Sequence, residues 1–226
     1  MIAWQKLDET TMPGGGKLTL MQRGTEFSIM SGTIGLMNSR MSGSEEQLAT
    51  LSAARVGKRP NARILIGGLG MGFTLRAALA AFGPDSQIVI AELVPAVIAW
   101  ARGPLAPIHG DSLNDPRVTI HEGDVRTAIS VGQPFDAILL DVDNGPDGLF
   151  RPENDRLYSA TGLGNTKVAL KPGGHLAVWS AYPDAAFAKR LGQSGMAIEK
   201  VRVRERSNGK GARHLIWFAT KSGRSP

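Results

Sequence analysis

The sequence predicts an α/β fold, in which a seven-stranded mixed sheet carries helices and a small β-rich appendage precedes it. Three observations predict this. From about residue 61, apolar runs of strand length alternate with stretches of helical character. A glycine cluster follows the first of these runs, and a glycine-containing loop of hairpin length separates the last two strands. Alternating strands and helices form parallel sheets, whereas a terminal hairpin adds antiparallel strands.

The composition is typical of a soluble globular domain. The chain has 226 residues, 42% of them apolar and 20% charged, which is enough for a full core in one main domain. No apolar run approaches the ~18 residues of a membrane helix, and the first residues lack the pattern of a secretion signal. The absence of cysteine excludes disulfides and thiolate chemistry. We expect a cytoplasmic protein with no membrane partner.

The net charge of +6 comes largely from the segment 200–213. Basic clusters of this kind can bind nucleic acid. Here the charges alternate with valines, as they do on the solvent-facing side of an ordinary strand. We therefore do not expect nucleic acid among the partners.

Strands are predicted before residue 43. Residues 17–23 and 26–30 alternate or cluster apolar side chains around Gly24. Three glycines at 14–16 form a flexible turn before them. We expect a small antiparallel appendage of two or three strands.

A helix follows this appendage. Ser44 is predicted to be its N-cap, with two acids, Glu45 and Glu46, in the first turn. Gly57 and Pro60 end it. We predict an appendage with its linking helix over residues 1–56 and the main domain over residues 57–226.

Strands and helices then alternate through the main domain. Strands are predicted at 62–66, 87–91, 118–121, 135–141 and 175–179. Helices are predicted at 73–82, 95–102, 125–130, 154–170 and 184–191. The last two strands, at 197–206 and 212–220, form the terminal hairpin.

The glycine cluster and the end of the next strand together predict a nucleotide-like ligand. Gly68, Gly70 and Gly72 lie between a buried strand and a helix start, where bare main chain lets a ligand approach closely. Glu92 ends the following strand about 20 residues on, where a carboxylate meets ribose hydroxyls in doubly wound folds. A dinucleotide oxidoreductase shares both features. The glycine pattern here lacks the G-x-x-G tail of that class. The terminal antiparallel hairpin, which this chain has, also disfavours it.

Other chemistries lack their motifs. The four histidines, at 109, 121, 175 and 214, have no metal-ligand spacing, so no metal is expected. No Gly-Lys-Ser/Thr follows the glycines, and no Gly-x-Ser-x-Gly occurs. Phosphate-loop hydrolases and serine hydrolases are therefore disfavoured.

The order of the motifs resembles class I S-adenosylmethionine-dependent methyltransferases. More closely, it is similar to their spermidine synthase (polyamine aminopropyltransferase) branch, over residues 17 to 220. The motifs that carry the resemblance are Gly68–Gly72, Glu92, Gly123-Asp124, Phe135–Asp141 and Leu170–Gly174, with Gly32–Ile34 and Asn114–Val118 typical of the branch. The resemblance implies a Rossmann-like seven-stranded mixed sheet and a homodimer formed through the N-terminal strands.

The resemblance also implies a binding site for the donor. Its main-chain turn, formed by Gly68, Leu69, Gly70 and Gly72, would lie against the sulfonium and amino-acid part. Glu92 would accept both ribose hydroxyls, and Leu93 would pack on the adenine face. Asp124 would take the adenine amino group, with the Val125 N–H beside it.

Asp141 is the predicted catalytic residue and, by the resemblance, also part of the donor site. It follows the central strand, where the transferred group would meet the acceptor, and could hold and deprotonate an amine. Its structural alternative is a strand-end carboxylate making a local turn bond. Asp143, Asn144 and Tyr158 are candidate substrate contacts.

This chain departs from the branch at several positions. Met71 stands where the branch has an acid that holds the amine of a decarboxylated donor, and Asn144 stands at a second amine-binding acid. Ser44-Glu45-Glu46 replaces a Tyr-His-Glu segment, and Gly35 replaces a glutamine. Because Met71 carries no charge, we expect the carboxylate-bearing donor, S-adenosylmethionine.

Three hypotheses of function follow. The first is a methyltransferase that uses S-adenosylmethionine and acts on a small acceptor such as an amine. The second is a polyamine aminopropyltransferase that uses decarboxylated S-adenosylmethionine. The third is a catalytically silent protein that keeps the fold for binding or dimerisation.

Overall fold

The computed structural model describes residues 2–142, 146, 154–206 and 208–223. Four strands come first: β1 Gln5–Thr11, β2 Lys17–Arg23, β3 Glu26–Ser31 and β4 Ile34–Asn38. Seven strands follow: β5 Arg63–Gly67, β6 Gln87–Glu92, β7 Val118–Glu122, β8 Phe135–Leu140, β9 Leu170–Ser180, β10 Ala197–Arg204 and β11 Arg213–Thr220. The helices are α1 Gly43–Val56, α2 Phe73–Ala81, α3 Pro95–Arg102, α4 Ala106–His109, α5 Val125–Val131, α6 Asn154–Leu157, α7 Ala160–Ala169 and α8 Ala185–Gly192.

The main sheet confirms the predicted fold class. Its strand order is β10-β11-β9-β8-β5-β6-β7. Strand β5 pairs in parallel with both β6 and β8, and β11 pairs antiparallel with β9 and β10. The chain therefore leaves β5 in one direction across the sheet and returns on its other side at β8. The carboxyl ends of these strands meet at this switch point, where ligands bind in doubly wound sheets.

The N-terminal sheet has four strands, which corrects the expected two or three. Strand β1 pairs antiparallel with β2, with Thr10 opposite Leu18, and β3 and β4 complete the order. Nearly every side chain of β1 is exposed, so no hydrophobic alternation marked it as a strand. The Trp100 indole donates to the Asp8 carboxylate at 2.6 Å and ties β1 to α3.

The first helix begins one residue earlier than its predicted cap. Ser42 occupies the N-cap position without a side-chain capping bond, and Ser44 lies inside α1. The Ser44 hydroxyl instead donates to the Glu45 carboxylate at 2.6 Å. The predicted cap at Ser44 was therefore wrong, because the helix already includes Gly43 and Ser44.

The helix predicted over 154–170 is two helices. Ser159 separates α6 from α7 and caps α7, since its hydroxyl oxygen accepts from the Gly162 N–H at 3.1 Å. A serine N-cap needs non-helical backbone angles, which interrupts the run. The other helices of the main domain lie within two residues of their predicted bounds, and the short α4 was not predicted.

The core lies on both faces of the main sheet. Every residue of β8 is buried, as its apolar run predicted. One hydrophobic cluster packs α1, α2 and α3 on one face and includes Leu20 and Ile29 of the N-terminal sheet, whereas α5, α7 and α8 cover the other. Among the described helices, none is long and apolar enough to cross a membrane.

A buried carboxylate fastens the edge of the main sheet opposite the switch point. Asp136, fully buried in β8, accepts from Arg59 at 2.7 Å, from Lys171 at 2.6 Å and from the Arg63 N–H at 2.7 Å. Burial raises its pKa, but these three donors together outweigh burial, and the pKa of Asp136 is lowered. The network joins the loop before β5 to β8 and β9.

We predict that Asp136→Asn lowers the free energy of unfolding by about 3 kcal/mol, because two cations lose a buried partner. Urea unfolding measures this. A lowered pKa stabilises the fold above the unfolded value of about 4 and loses that effect as the pH falls through the folded value. The difference from the wild type should therefore shrink on acidification. The exposed Asp111→Asn is the matched control; an equal loss there would contradict the assignment.

Candidate functional site

Two adjoining cavities open at the carboxyl edge of the main sheet. The first, which we call the Glu92 cavity, lies between this edge and the N-terminal sheet. Leu93, Asp124 and Val125 line it on the side of the main sheet. The N-terminal sheet and its first turn contribute an apolar wall of Met12, Leu18, Ile29, Leu36 and Met37.

The second, which we call the Glu45 cavity, lies beside the start of α2. Its lining includes Glu45 of α1, the turn residues Gly68–Phe73 and Trp179 at the end of β9. The two cavities share five lining residues: Leu36, Met37, Gly68, Gly70 and Asp141. They therefore form one continuous recess around the glycine turn.

The glycine turn requires its glycines at the two positions shared by the cavities. Gly68 has φ +90°, and a side chain there would collide with the Asp141 carbonyl oxygen. Gly70 has φ +49°, and a Cβ atom would lie 2.9 Å from the Met37 sulfur. The turn consequently presents bare main chain to both cavities, as the sequence predicted.

Glu92 holds this turn against the end of β6. One carboxylate oxygen accepts from the Leu69 N–H and the other from the Val94 N–H, each at 2.9 Å. Burial raises the pKa of Glu92, while these amides act in the opposite direction. Each carboxylate oxygen has a further lone pair. The predicted contact with ribose hydroxyls stays a prediction that this geometry permits.

Asp124 is the N-cap of α5. It accepts from the Arg126 N–H at 2.8 Å, and the Arg126 guanidinium approaches the same carboxylate at 2.6 Å. Asp124 therefore has a local structural role at the start of α5. The residue also lines the Glu92 cavity with Val125 and Leu93, so the adenine contacts predicted for all three stay predictions.

Asp141 lies at the junction of the two cavities. Its N–H donates to the Gly67 carbonyl at 3.0 Å, and its carboxylate accepts from the Thr74 hydroxyl at 2.7 Å. Burial raises the pKa of Asp141 to about 6, against the effect of the Thr74 bond. A carboxylate with this pKa is poised to accept a proton near neutral pH.

Glu45 is a site residue that the sequence analysis missed. Burial and then the charge of Asp141 raise the pKa of Glu45 to about 7, although the Ser44 hydroxyl acts in the opposite direction. In the sequence it was one of two acids in the first turn of a helix, which the helix dipole alone explains. Only the packing of α1 beside β8 and α2 brings it to Asp141.

Of the three predicted substrate contacts, only Tyr158 lies within the described residues. The Tyr158 side chain is buried in the core, where its ring packs edge-on against Phe187 with centroids 5.5 Å apart. It lines neither cavity among the described residues, so we correct that prediction. Asp143 and Asn144 lie outside the described residues.

A buried histidine packs against the glycine turn at Gly72. His109 of α4 is 1% exposed and lies where a side chain on Gly72 would project. Burial lowers the pKa of His109 to about 4, so the ring is neutral at physiological pH. Leu69 and Gly72 line the Glu45 cavity, and the donor contacts predicted for them stay predictions. Within the described ranges, no three His, Asp or Glu side chains cluster as metal ligands would.

We predict that Glu45→Gln raises the melting temperature near neutral pH. The raised pKa means that the folded protein keeps a proton that the unfolded chain has lost, so stability falls as the pH rises from about 4.5 to about 7. Removing the charge should recover on the order of 1 kcal/mol, or roughly 2–4 °C. Thermal unfolding at the two ends of this range measures it.

The gain should disappear at the acidic end, where Glu45 is protonated in the wild type. Glu46→Gln, on the same helix turn but outside both cavities, is the matched control. A gain that persists unchanged at the acidic end, or that Glu46→Gln reproduces, would contradict the repulsion between Glu45 and Asp141.

The curated proteins that match this chain in sequence are polyamine aminopropyltransferases. A polyamine aminopropyltransferase of Corynebacterium efficiens is 36% identical over 146 residues, which are 61% of this chain and 26% of that protein. A polyamine aminopropyltransferase of Mycobacterium tuberculosis is 36% identical over 124 residues, or 53% of this chain and 23% of that protein. The chain thus spans about a quarter of the length of these curated relatives. No protein-family model matches it.

Solved structures extend the similarity to the whole fold. The spermidine synthase of Thermotoga maritima superimposes with a TM-score of 0.74 at 16% identity, over 96% of this chain and 72% of that one. A spermidine synthase in complex with the transition state analogue AdoDATO gives a TM-score of 0.75 at 17% identity, with the same coverage. At 96% coverage, the N-terminal sheet is part of the match.

The chain is therefore similar in sequence to polyamine aminopropyltransferases and has the spermidine synthase fold, the Rossmann-like sheet of class I methyltransferases preceded by an antiparallel sheet.

Proposed function

We propose that this protein transfers an aminopropyl group from decarboxylated S-adenosylmethionine to a small amine. One observation carries the proposal: among the described residues that line the two cavities, every ionisable side chain is an acid. These are Glu45, Glu92, Asp124 and Asp141. A recess of this kind favours a ligand whose charges are all positive.

The donor's charge separates this proposal from methyl transfer. Decarboxylated S-adenosylmethionine carries a sulfonium and an ammonium, whereas S-adenosylmethionine adds a carboxylate. Within the described lining, no cationic side chain is present to pair with that carboxylate. The neutral Met71 alone would favour the carboxylate-bearing donor, but Glu45 and Asp141 place two acids around the same cavity. The acids around the turn and the named relatives favour the second sequence hypothesis over the first.

Each described residue then has a stated role. Glu92 accepts the ribose hydroxyls, and the glycine turn leaves room for the sulfonium. The apolar wall from the N-terminal sheet excludes water, which strengthens electrostatic interactions inside the recess. Asp141 lies at the junction, where the acceptor nitrogen approaches the donor.

The transfer is an in-line displacement at carbon. The acceptor nitrogen uses its lone pair to form a bond to the propyl carbon attached to sulfur, and the carbon–sulfur bond breaks. That electron pair stays on sulfur, which becomes the neutral thioether of 5′-methylthioadenosine. The acceptor ammonium must first lose a proton, and Asp141 takes it. The leaving thioether needs no acid.

Donor choice tests the proposal directly. The purified protein is incubated with a linear aliphatic diamine and either donor, and the release of 5′-methylthioadenosine and of methylated amine is measured. We expect 5′-methylthioadenosine from the decarboxylated donor. Methylated amine from S-adenosylmethionine would instead support the methyltransferase hypothesis. Neither product from a folded protein would support the catalytically silent one.

We predict that Asp141→Asn lowers kcat by roughly 10²–10⁴-fold, the usual contribution of a positioned base. The amide still accepts from Thr74, so binding of 5′-methylthioadenosine should persist. Steady-state kinetics and calorimetry measure the two quantities. Asp111→Asn is again the control, since Asp111 lies outside both cavities. Unchanged kcat in Asp141→Asn would contradict its role as the base.

A further inference from the structure

The Glu45 cavity gives the glycine turn an acidic neighbour from another part of the chain. Gly70, Met71 and Gly72 form one side of it, and Glu45 approaches from α1. The turn itself offers main chain and the apolar Met71 side chain, which is 4% exposed. Any charge complementary to a cationic group at this turn must therefore come from outside the turn.

Two acids meet that need, and their positions differ. Asp141 lines both cavities and is held by the Thr74 hydroxyl at 2.7 Å, so it faces their junction. Glu45 lines only the cavity beside the turn. Its carboxylate accepts from the Ser44 hydroxyl at 2.6 Å, which orients it on α1. Glu45 therefore lies beside the turn in the cavity that Glu92 does not line. A donor with its ribose at Glu92 and its sulfonium at the turn would extend its propyl chain towards this second cavity.

We propose that Glu45 binds the terminal ammonium of the aminopropyl donor, and that α1 rather than the glycine turn sets the preference for the decarboxylated form. This inference rests on the proposed function and deepens it. It assigns the acceptor to Asp141 and the donor's amine to Glu45, so the two carboxylates serve different substrates.

The electrostatics of the recess support this assignment. Burial and then the charge of the neighbouring Asp141 raise the pKa of Glu45, because the two carboxylates repel each other when both are ionised. An ammonium bound there would relieve that repulsion and make charge-assisted hydrogen bonds. Trp179 lines the same cavity, and aromatic rings attract cations.

The same carboxylate would act against S-adenosylmethionine. That donor carries its carboxylate on the carbon that bears the ammonium, so binding would bring a second anion towards Glu45. Like charges in a partly desolvated recess repel strongly. Discrimination between the donors would therefore come from attraction to one and repulsion of the other.

The test compares three ligands and three proteins. Calorimetry measures the binding of decarboxylated S-adenosylmethionine, S-adenosylmethionine and 5′-methylthioadenosine to the wild type, Glu45→Gln and Glu46→Gln. 5′-Methylthioadenosine keeps the adenosine and sulfur but has no ammonium. The measurement is made above about pH 7, where Glu45 is ionised. Glu46→Gln is the matched control for charge and helix position.

We expect Glu45→Gln to weaken the decarboxylated donor by roughly 10-fold or more, the usual effect of a hydrogen bond to a charged group. Binding of S-adenosylmethionine should improve, binding of 5′-methylthioadenosine should stay unchanged, and Glu46→Gln should behave as the wild type. This pattern would support the assignment, because only the ligand whose ammonium has no carboxylate beside it would lose affinity.

The experiment distinguishes failure of the proposed function from failure of the role assigned to Glu45. A wild type that binds 5′-methylthioadenosine but prefers S-adenosylmethionine would overturn the proposed function itself. A wild type that prefers the decarboxylated donor, with that preference intact in Glu45→Gln, would overturn only the role of Glu45. Loss of 5′-methylthioadenosine binding in Glu45→Gln would also overturn it, since Glu45 would then shape the adenosine site instead.

Discussion

The binding edge of this protein depends on one buried carboxylate held by main-chain amides. Glu92 accepts from the N–H groups of Leu69 and Val94, so the turn after β5 and the start of α3 are both fixed to the end of β6. A glycine turn is otherwise among the least constrained segments of a chain. Because unpaired buried charge costs much free energy, neither amide can leave without penalty. The recess therefore has a defined shape although glycines form part of its wall.

Much of the main domain could be predicted because its strands are buried on both faces. Continuous apolar runs such as β8 leave little ambiguity, and glycine or proline residues mark their ends. Strand β1 could not be predicted, because its exposed side chains follow no period and its partner lies across a turn. The break at Ser159 was missed for a related reason: a serine inside a helical pattern becomes a cap only through its actual backbone angles.

The site was predictable where sheet topology decides position and not where helix packing does. Parallel strands deliver their carboxyl ends to one edge, so Glu92 and Asp141 could be placed from the sequence alone. Glu45 reaches the same recess only because α1 packs against α2 and the main sheet. Tyr158 failed in the opposite way. Its position in the sequence, after Asp141 and Asp143, suggested a substrate contact, but its aromatic ring fills the core beside Phe187.

The wall that covers the turn is built partly from thioethers. Met37 of β4 rests on Gly70, with its sulfur 2.9 Å from the position that a Cβ atom would take. Methionine adapts well to irregular apolar gaps, but it is also open to oxidation. A sulfoxide oxygen on Met37 would press a polar group against the main chain of the turn. The apolar wall of the recess is therefore sensitive to peroxide at Met37. A methionine sulfoxide reductase could restore the thioether.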